Sequence, residues 1–239
     1  VFGVAITTVI LPNLSRHHAE QSHESFSLTV DWAIRAVLLV GLPAAVMLAM
    51  MSGPMLSTLF QHGAFDGHAV IMASESLTAF AVGIAPFMLV KVLASGFYAR
   101  QDMRTPVKIG VVAMLANIAL NFALISPLKH AGIALATSLA AIINMSCLYY
   151  YLYRCGHYSP REGWGLFSLR LSSANLALAG WLWFSVGDIQ IWIAQGDMWR
   201  IMHLAYLLVT SAVLYFAMLW IAGIRLHDLL VPQKRLATT

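Results

Sequence analysis

Lys91 stands inside the apolar run AVGIAPFMLVKVLASGFY, where an ammonium group needs a reason. At a helix centre in lipid a lysine costs about 2.5–3.5 kcal/mol on insertion scales, so it faces a cavity or a carboxylate, or it snorkels. Arg100 follows nine residues later, ~13 Å up a helix. That is deep for a snorkel, and both readings stay open. Arg100, Asp102, Arg104 and Lys108 crowd the stretch ARQDMRTPVK between two apolar runs, which is the pattern of a membrane-surface turn. Asn117 and Asn121 lie one helical turn apart, and Thr137 sits in the next run. Three neutral oxygens help hold a cation or serve as interhelical hydrogen bonds. Asp31 and Arg35, four apart on a helix, share a face as an ion pair at headgroup level or as a relay.

No constellation for catalysis accompanies them. GxSxG, HExxH, GxxxxGK and CxxC are all absent. His17, His18 and His23 with Glu20 and Glu24 could be drawn as a metal cluster, but a polar interfacial loop explains them as well. The ten carboxylates fall almost entirely in loops, and Cys147 and Cys155 form neither a paired framework nor a ligand spacing. Sparse polarity inside apolar runs is the mark of a translocation path, not of an enzyme.

The elements that must position these residues are membrane helices. Of 239 residues 60% are hydrophobic and 10% charged, with mean hydropathy +0.77. A soluble domain carries roughly 25% charged residues, so this chain cannot cover a water-facing surface. The net charge of +4 does not point to nucleic acid, because the basic residues sit in small groups at the ends of apolar runs. The fold class is therefore all-α and polytopic, with about six full spans and one truncated. The truncated helix, Val1 to Leu14, opens the chain inside an apolar run, which reads as the C-terminal part of something longer. Full spans are expected over 30–51 (broken at Gly41-Leu42-Pro43), 69–98 (broken at Gly83 and Pro86), 106–125, 131–153, 166–187 and 199–223. Gly132, Ala136 and Ala140 give one of them a close-packing face. DIQIWIAQGD reads as a loop with Trp192 at the interface, and Arg170 as a snorkelling side chain.

Charge orients the spans. Arg16, Arg35, Arg100, Arg104, Lys108, Arg154, Arg161, Arg170, Arg225, Lys234 and Arg235 flank one side, eleven residues against Lys129 and Arg200 on the other. The positive-inside rule places the turn at 100–108 and the C-terminus in the cytoplasm.

Four stretches carry a resemblance: GVAITTVILPNLSR at 3–16, LFQHGAFD at 59–66, GFYARQDMRTPVKI at 96–109 and PLKHAG at 127–132. In order and spacing they are similar to the MurJ (MviN) family of lipid II flippases, within the multidrug/oligosaccharidyl-lipid/polysaccharide exporter superfamily. The resemblance implies two lobes of six helices plus two C-terminal helices, with this chain running from the end of the eighth helix to the fourteenth. Residues 1–154 would then belong to the C-terminal lobe, 155–225 to the last two helices and their lipid-tail groove, and 226–239 to a cytoplasmic tail. It further implies lipid II as substrate, membrane lipid and an N-terminal lobe of the same protein as partners, and a multi-pass place in the bacterial inner membrane. Translocation would proceed by alternating access for cell-wall synthesis. Arg100, Arg104 and Lys108 become topology anchors near head-group entry, and Lys91 a residue of the transport path. Asn117, Asn121 and Thr137 match places where some members bind sodium, although Asn121 stands where a carboxylate would serve the ion best. No other cofactor is implied. Another exporter of the superfamily, for O-antigen units or drugs, is the neighbouring alternative. An integral-membrane enzyme acting on a polyprenyl lipid is the alternative of another class.

Overall fold

The structure is a computed structural model that describes Thr8, Leu11, Pro12, residues 14–16 and residues 23–223. The stretch 17–22, with most of the histidine and glutamate cluster considered above, lies outside the described residues, as do most of the truncated first helix and the tail expected over 226–239. Among the described residues there is no strand and no group of three side chains able to hold a metal ion.

Eight helices organise residues 23–223. Helix α1, His23–Met50, is followed by short α2, Ser52–Phe60. Helix α1 runs unbroken through Pro43, so the expected interruption at Gly41-Leu42-Pro43 is not there. A proline removes a single backbone donor, and packing covers that loss here: Gly41 and Pro43 are buried, with Gly41 against Ala85.

Helices α3, Gly67–Ala81, and α4, Ile84–Tyr98, make one pass interrupted at Val82-Gly83. The interruption leaves carbonyls short of partners, and Ser138 supplies one: its hydroxyl donates to Ala79 O at 2.8 Å and reaches Phe80 O at 3.3 Å. The approach needs glycine, since a Cβ at Gly83 would lie 2.8 Å from the Ser138 hydroxyl and 3.0 Å from its Cα.

Helix α5, Arg104–Arg154, covers 51 residues but doubles back at Lys129, where φ is 49° and ψ −125°. A straight helix would hold Asn117 and Thr137 ~30 Å apart at 1.5 Å per residue, yet Asn117 Nδ2 donates to Thr137 Oγ1 at 3.4 Å. The two limbs are thus an antiparallel hairpin, tight enough that a Cβ on Gly132 would sit 2.2 Å from the Leu124 carbonyl oxygen. Gly132, Ala136 and Ala140 are all buried on that second limb.

Helix α6, Trp164–Val186, is joined by α7, Ile189–Ala194, to α8, Asp197–Ile221. The stretch read as a loop is therefore partly helical. Asp188 caps α7 by accepting from Gln190 N at 2.9 Å, and Trp192, expected at the interface, is only 1% exposed. Its indole donates to Val186 O at 2.7 Å, which lets the ring bury without an orphaned N–H.

Glu24–Met50, Gly67–Tyr98, Arg104–Arg154 and Asp197–Ile221 are long and apolar enough to cross a membrane, the third of them twice over. Helix α6, at 23 residues, has the length but is less apolar, carrying Arg170, Ser172, Ser173 and Asn175. Two hydrophobic cores flank α1. On one side Val30, Val37, Leu93, Phe97, Leu148 and Leu152 join it to α4 and the second limb of α5. On the other, Leu39, Leu171, Leu178, Leu207 and Leu219 join it to α6 and α8. Helix α1 is the element both cores share, so it packs on two sides.

Candidate functional site

Lys91 projects from α4 as an exposed side chain beside a cavity of about 500 Å³. Among the described residues Thr8, Leu11, Pro12, Val90, Ala94 and Tyr98 line it as well. The residues that follow Lys91, Val92 to Phe97, are buried against the core, so the helix offers this side chain on an unpacked face. No ion-pair or hydrogen-bond partner for Lys91 occurs among the described residues. The result is an ammonium group at the edge of an open, largely apolar recess in the membrane part of the fold.

The second cluster comes together in space. Asn121 Nδ2 donates to Asn117 Oδ1 at 2.8 Å, Asn117 Nδ2 donates to Thr137 Oγ1, and the Thr137 hydroxyl donates to Ile133 O at 3.0 Å. The chain of bonds pins the two limbs of α5 together. Asn121 Oδ1 is buried and accepts no hydrogen bond in the described structure.

At the basic end, Asp102 Oδ1 accepts from the backbone N–H groups of Arg104 and Thr105, both at 3.1 Å, and so caps α5. Hydrogen bonds from Thr105, then from Arg104, hold its carboxyl below the usual range. Partial burial lowers the Arg100 guanidinium from its ordinary value, while Cys155 and Asp102 pull the other way. Arg104 and Lys108 stand exposed one turn apart on the first turns of α5, forming a solvent-facing pair of cations.

Asp31 and Arg35, expected to share a helix face, do pair, with the carboxylate buried inside the protein and the guanidinium partly exposed. Asp31 is 3% exposed. Arg35 Nε lies 2.8 Å from Asp31 Oδ2, off the line of its N–H bond and therefore an ion pair more than an aligned hydrogen bond. Asp31 Oδ1 accepts from Tyr158 OH at 2.8 Å and Trp164 Nε1 at 2.7 Å, with Arg161 N at 3.4 Å. The Arg35 guanidinium stacks over Trp164 and Phe167, 5.0 and 5.3 Å from their ring centres. Burial first, and donation to Asp31 second, push the Tyr158 phenol well above its ordinary range, so it stays a donor.

Arg200 plays a role that its sequence position hid. It reads as one of two stray cations on the sparsely charged side, yet it is 5% exposed. Nε donates to Trp192 O at 2.8 Å, Nη2 to Ile193 O at 2.8 Å and Nη1 to Ser57 O at 3.2 Å, with Asp197 Oδ1 3.5 Å away. Asp197 three residues ahead of Arg200 was the visible signal; the carbonyls were not, because any backbone has them.

Five polar features thus punctuate a membrane bundle: a lone lysine on a recess, an amide–hydroxyl pin, a basic rim and two buried polar nodes. The chain is 40% identical to the "Probable lipid II flippase MurJ" of Haemophilus influenzae, covering 98% of this chain and 47% of that protein. It is 35% identical to the "Lipid II flippase MurJ" of Burkholderia cenocepacia, covering 94% of this chain and 44% of that protein. The chain thus spans about half the length of the curated relatives it matches. A solved structure titled "Lipid II flippase MurJ, inward closed conformation" superposes with a TM-score of 0.74 at 20% identity, over 92% of this chain and 43% of that one. That likeness speaks for the fold. The family described as "Lipid II flippase MurJ" matches residues 1–203. Since that match covers most of the bundle and every polar set just described, the chain belongs to the lipid II flippase MurJ family.

Proposed function

We propose that this chain is the C-terminal part of a transporter that carries lipid II from the cytoplasmic to the periplasmic leaflet of the bacterial inner membrane, with the basic end and the C-terminus in the cytoplasm. One observation carries the reading: Lys91, unpartnered among the described residues, faces a recess of about 500 Å³ inside the membrane bundle. An ammonium group held there meets the anionic head group of a lipid passing through, and repays its insertion cost only when the recess is wet or occupied. Residues 1–154 form the lobe bearing the recess. Residues 155–225 supply the two helices whose outer apolar surfaces suit an isoprenoid tail, and Arg100, Arg104 and Lys108 face the incoming head group. The N-terminal lobe of the same protein closes the recess from the other side. No bond is made or broken in such a cycle.

Sodium fits the amide–hydroxyl pin poorly. Asn117 Oδ1 and Thr137 Oγ1 each accept one hydrogen bond and keep one lone pair, and Asn121 Oδ1 accepts none, so the cluster offers three neutral oxygens and no carboxylate. Hard cations take about six oxygens, commonly with a carboxylate, so the remaining ligands would have to come from outside this chain.

The test is replacement of Lys91 in the full-length protein, in cells depleted of their own lipid II flippase. The unaltered protein restores growth. Lys91→Gln and Lys91→Ala insert at normal levels but lower transport about tenfold, the equivalent of ~1.4 kcal/mol, whereas Lys91→Arg retains most of it. Full activity of Lys91→Ala removes Lys91 from the path, and failure of the unaltered protein to rescue removes the substrate.

A further inference from the structure

The buried nodes at Asp31 and Arg200 lie at opposite ends of α6. Trp164, which donates to Asp31, opens that helix, and Trp192, whose carbonyl accepts from Arg200, lies just past its end. Twenty-three residues separate the two ends, about 35 Å of helix. Each node joins the same two parts of the molecule. At the basic end Asp31 of α1 gathers Tyr158, Arg161 and Trp164 from the loop entering α6, and Ser27 adds a second tie by accepting from Ser159 N at 3.0 Å and donating to Ser159 O at 3.1 Å. At the other end Arg200 of α8 binds Ser57 of α2 while holding the last carbonyls of α7, and Gln61 Nε2 donates to Ile193 O at 3.1 Å. Midway, Tyr215 of α8 donates its hydroxyl to Leu39 O of α1 at 2.7 Å.

Apolar contacts alone give little resistance to sliding in lipid, because the tails outside are as apolar as the helix faces inside. Hydrogen-bonded charges buried at both ends do resist it: parting them would strand a carboxylate or a guanidinium in a dry site. We infer that Asp31 and Arg200 are positioning residues that clamp α6–α8 to α1 and α2 at both membrane faces, so that the apolar surface of α6 and α8 travels with the lobe as one body during transport. A groove for a lipid tail built on that surface keeps its place relative to Lys91's helix while the opposite lobe moves. For its transport arm this inference rests on the proposed function; its geometric arm does not.

The experiment uses the full-length protein in lipid vesicles, with spin labels at the exposed positions Leu59 on α2 and Leu169 on α6. The unaltered protein gives one narrow distance that is the same when the transporter is trapped open to either face. Asp31→Ala with Arg200→Ala broadens it. Amide exchange rises about tenfold or more at residues 157–164 in the first single variant and 189–197 in the second. In the double variant the maximal transport rate falls about tenfold with the half-saturating lipid concentration unchanged. Should the double variant fail to insert, Asp31→Asn and Arg200→Lys carry the same exchange readout at smaller amplitude. A distance that shifts between trapped states in the unaltered protein, or parent-like distances and exchange in the variants, overturns the clamp. Clamp-like distances in a protein that carries no lipid II would instead sink the proposed substrate and leave the clamp standing.

Discussion

At the scale of single residues, the molecule separates charges that are stored from charges that are offered. Asp31 and Arg200 spend every polar atom they expose to the interior on a fixed partner, whereas Lys91 has none among the described residues. Stranding one side of a fully buried charge pair costs about 3–5 kcal/mol, but Arg35 is partly exposed and Asp31 keeps three other donors, so Arg35→Ala is expected to destabilise the protein by less than that, read as a lower detergent-melting temperature. Tyr158 adds a pH signature. Its phenol is pushed above the ordinary value of about 10 by burial and by Asp31. A raised folded value favours the protonated form on folding, so this contribution is fully present below pH about 10 and is lost as pH rises from there through the folded value. Alkaline titration of stability therefore steepens above pH about 10 in the unaltered protein, and Tyr158→Phe flattens that limb while lowering stability at neutral pH. Equal slopes in the two proteins would show that the phenol titrates freely.

At the scale of elements, the reversal in α5 is where local sequence and packing meet. Pro127 and Lys129 interrupt the helix, and Gly132 lets the second limb cross the Leu124 carbonyl. A Cβ at 2.2 Å from a backbone oxygen cannot be relieved by a rotamer change. Gly132→Ala should consequently cost several times the ~1 kcal/mol that a glycine-to-alanine change gains inside an ordinary helix, and it should also loosen the Asn117–Thr137 bond at mid-span. Amide exchange across residues 120–135 reads this directly; a stabilised Gly132→Ala protein would mean that the two limbs do not pack in contact at Gly132. Ser138 makes the comparable repair between elements, donating to the carbonyls that the α3–α4 break exposes.

At the scale of the molecule, the exposed apolar surfaces fall into sectors. Val209, Val213, Phe216 and Trp220 face outward from α8, and Val111, Leu115, Ile118 and Phe122 from the first limb of α5, while Lys91 and Tyr98 flank the recess on α4. If the recess is a wet path and the α8 face meets lipid, single cysteines will report it. In a full-length protein with Cys147 and Cys155 replaced by serine, Tyr98→Cys reacts with a membrane-impermeant thiol reagent from one side of the membrane and Val213→Cys does not. Equal protection of both positions would make the α4 face a lipid or packing surface.

Composition and the lengths of apolar runs determined the class and most helix limits to within a few residues, because insertion into lipid depends on local transfer energies summed along the chain. The pairing of Asn117 with Asn121 was legible for the same reason: a helical period fixes which neighbours share a face. What the tertiary structure decided was burial and partnership. Continuity of α1 through Pro43, the folding of residues 189–194 into α7 with Trp192 inside, and the depth of Asp31 and Arg200 all depend on partners that only folding supplies: Ala85 against Gly41, Val186 O for the Trp192 indole, Tyr158 and Trp164 for Asp31, and Ser57 O with two carbonyls of α7 for Arg200. Carbonyls are the same at every position and leave no trace in sequence. A buried arginine held by three of them therefore looks, until the chain is folded, like any other cation at a membrane edge.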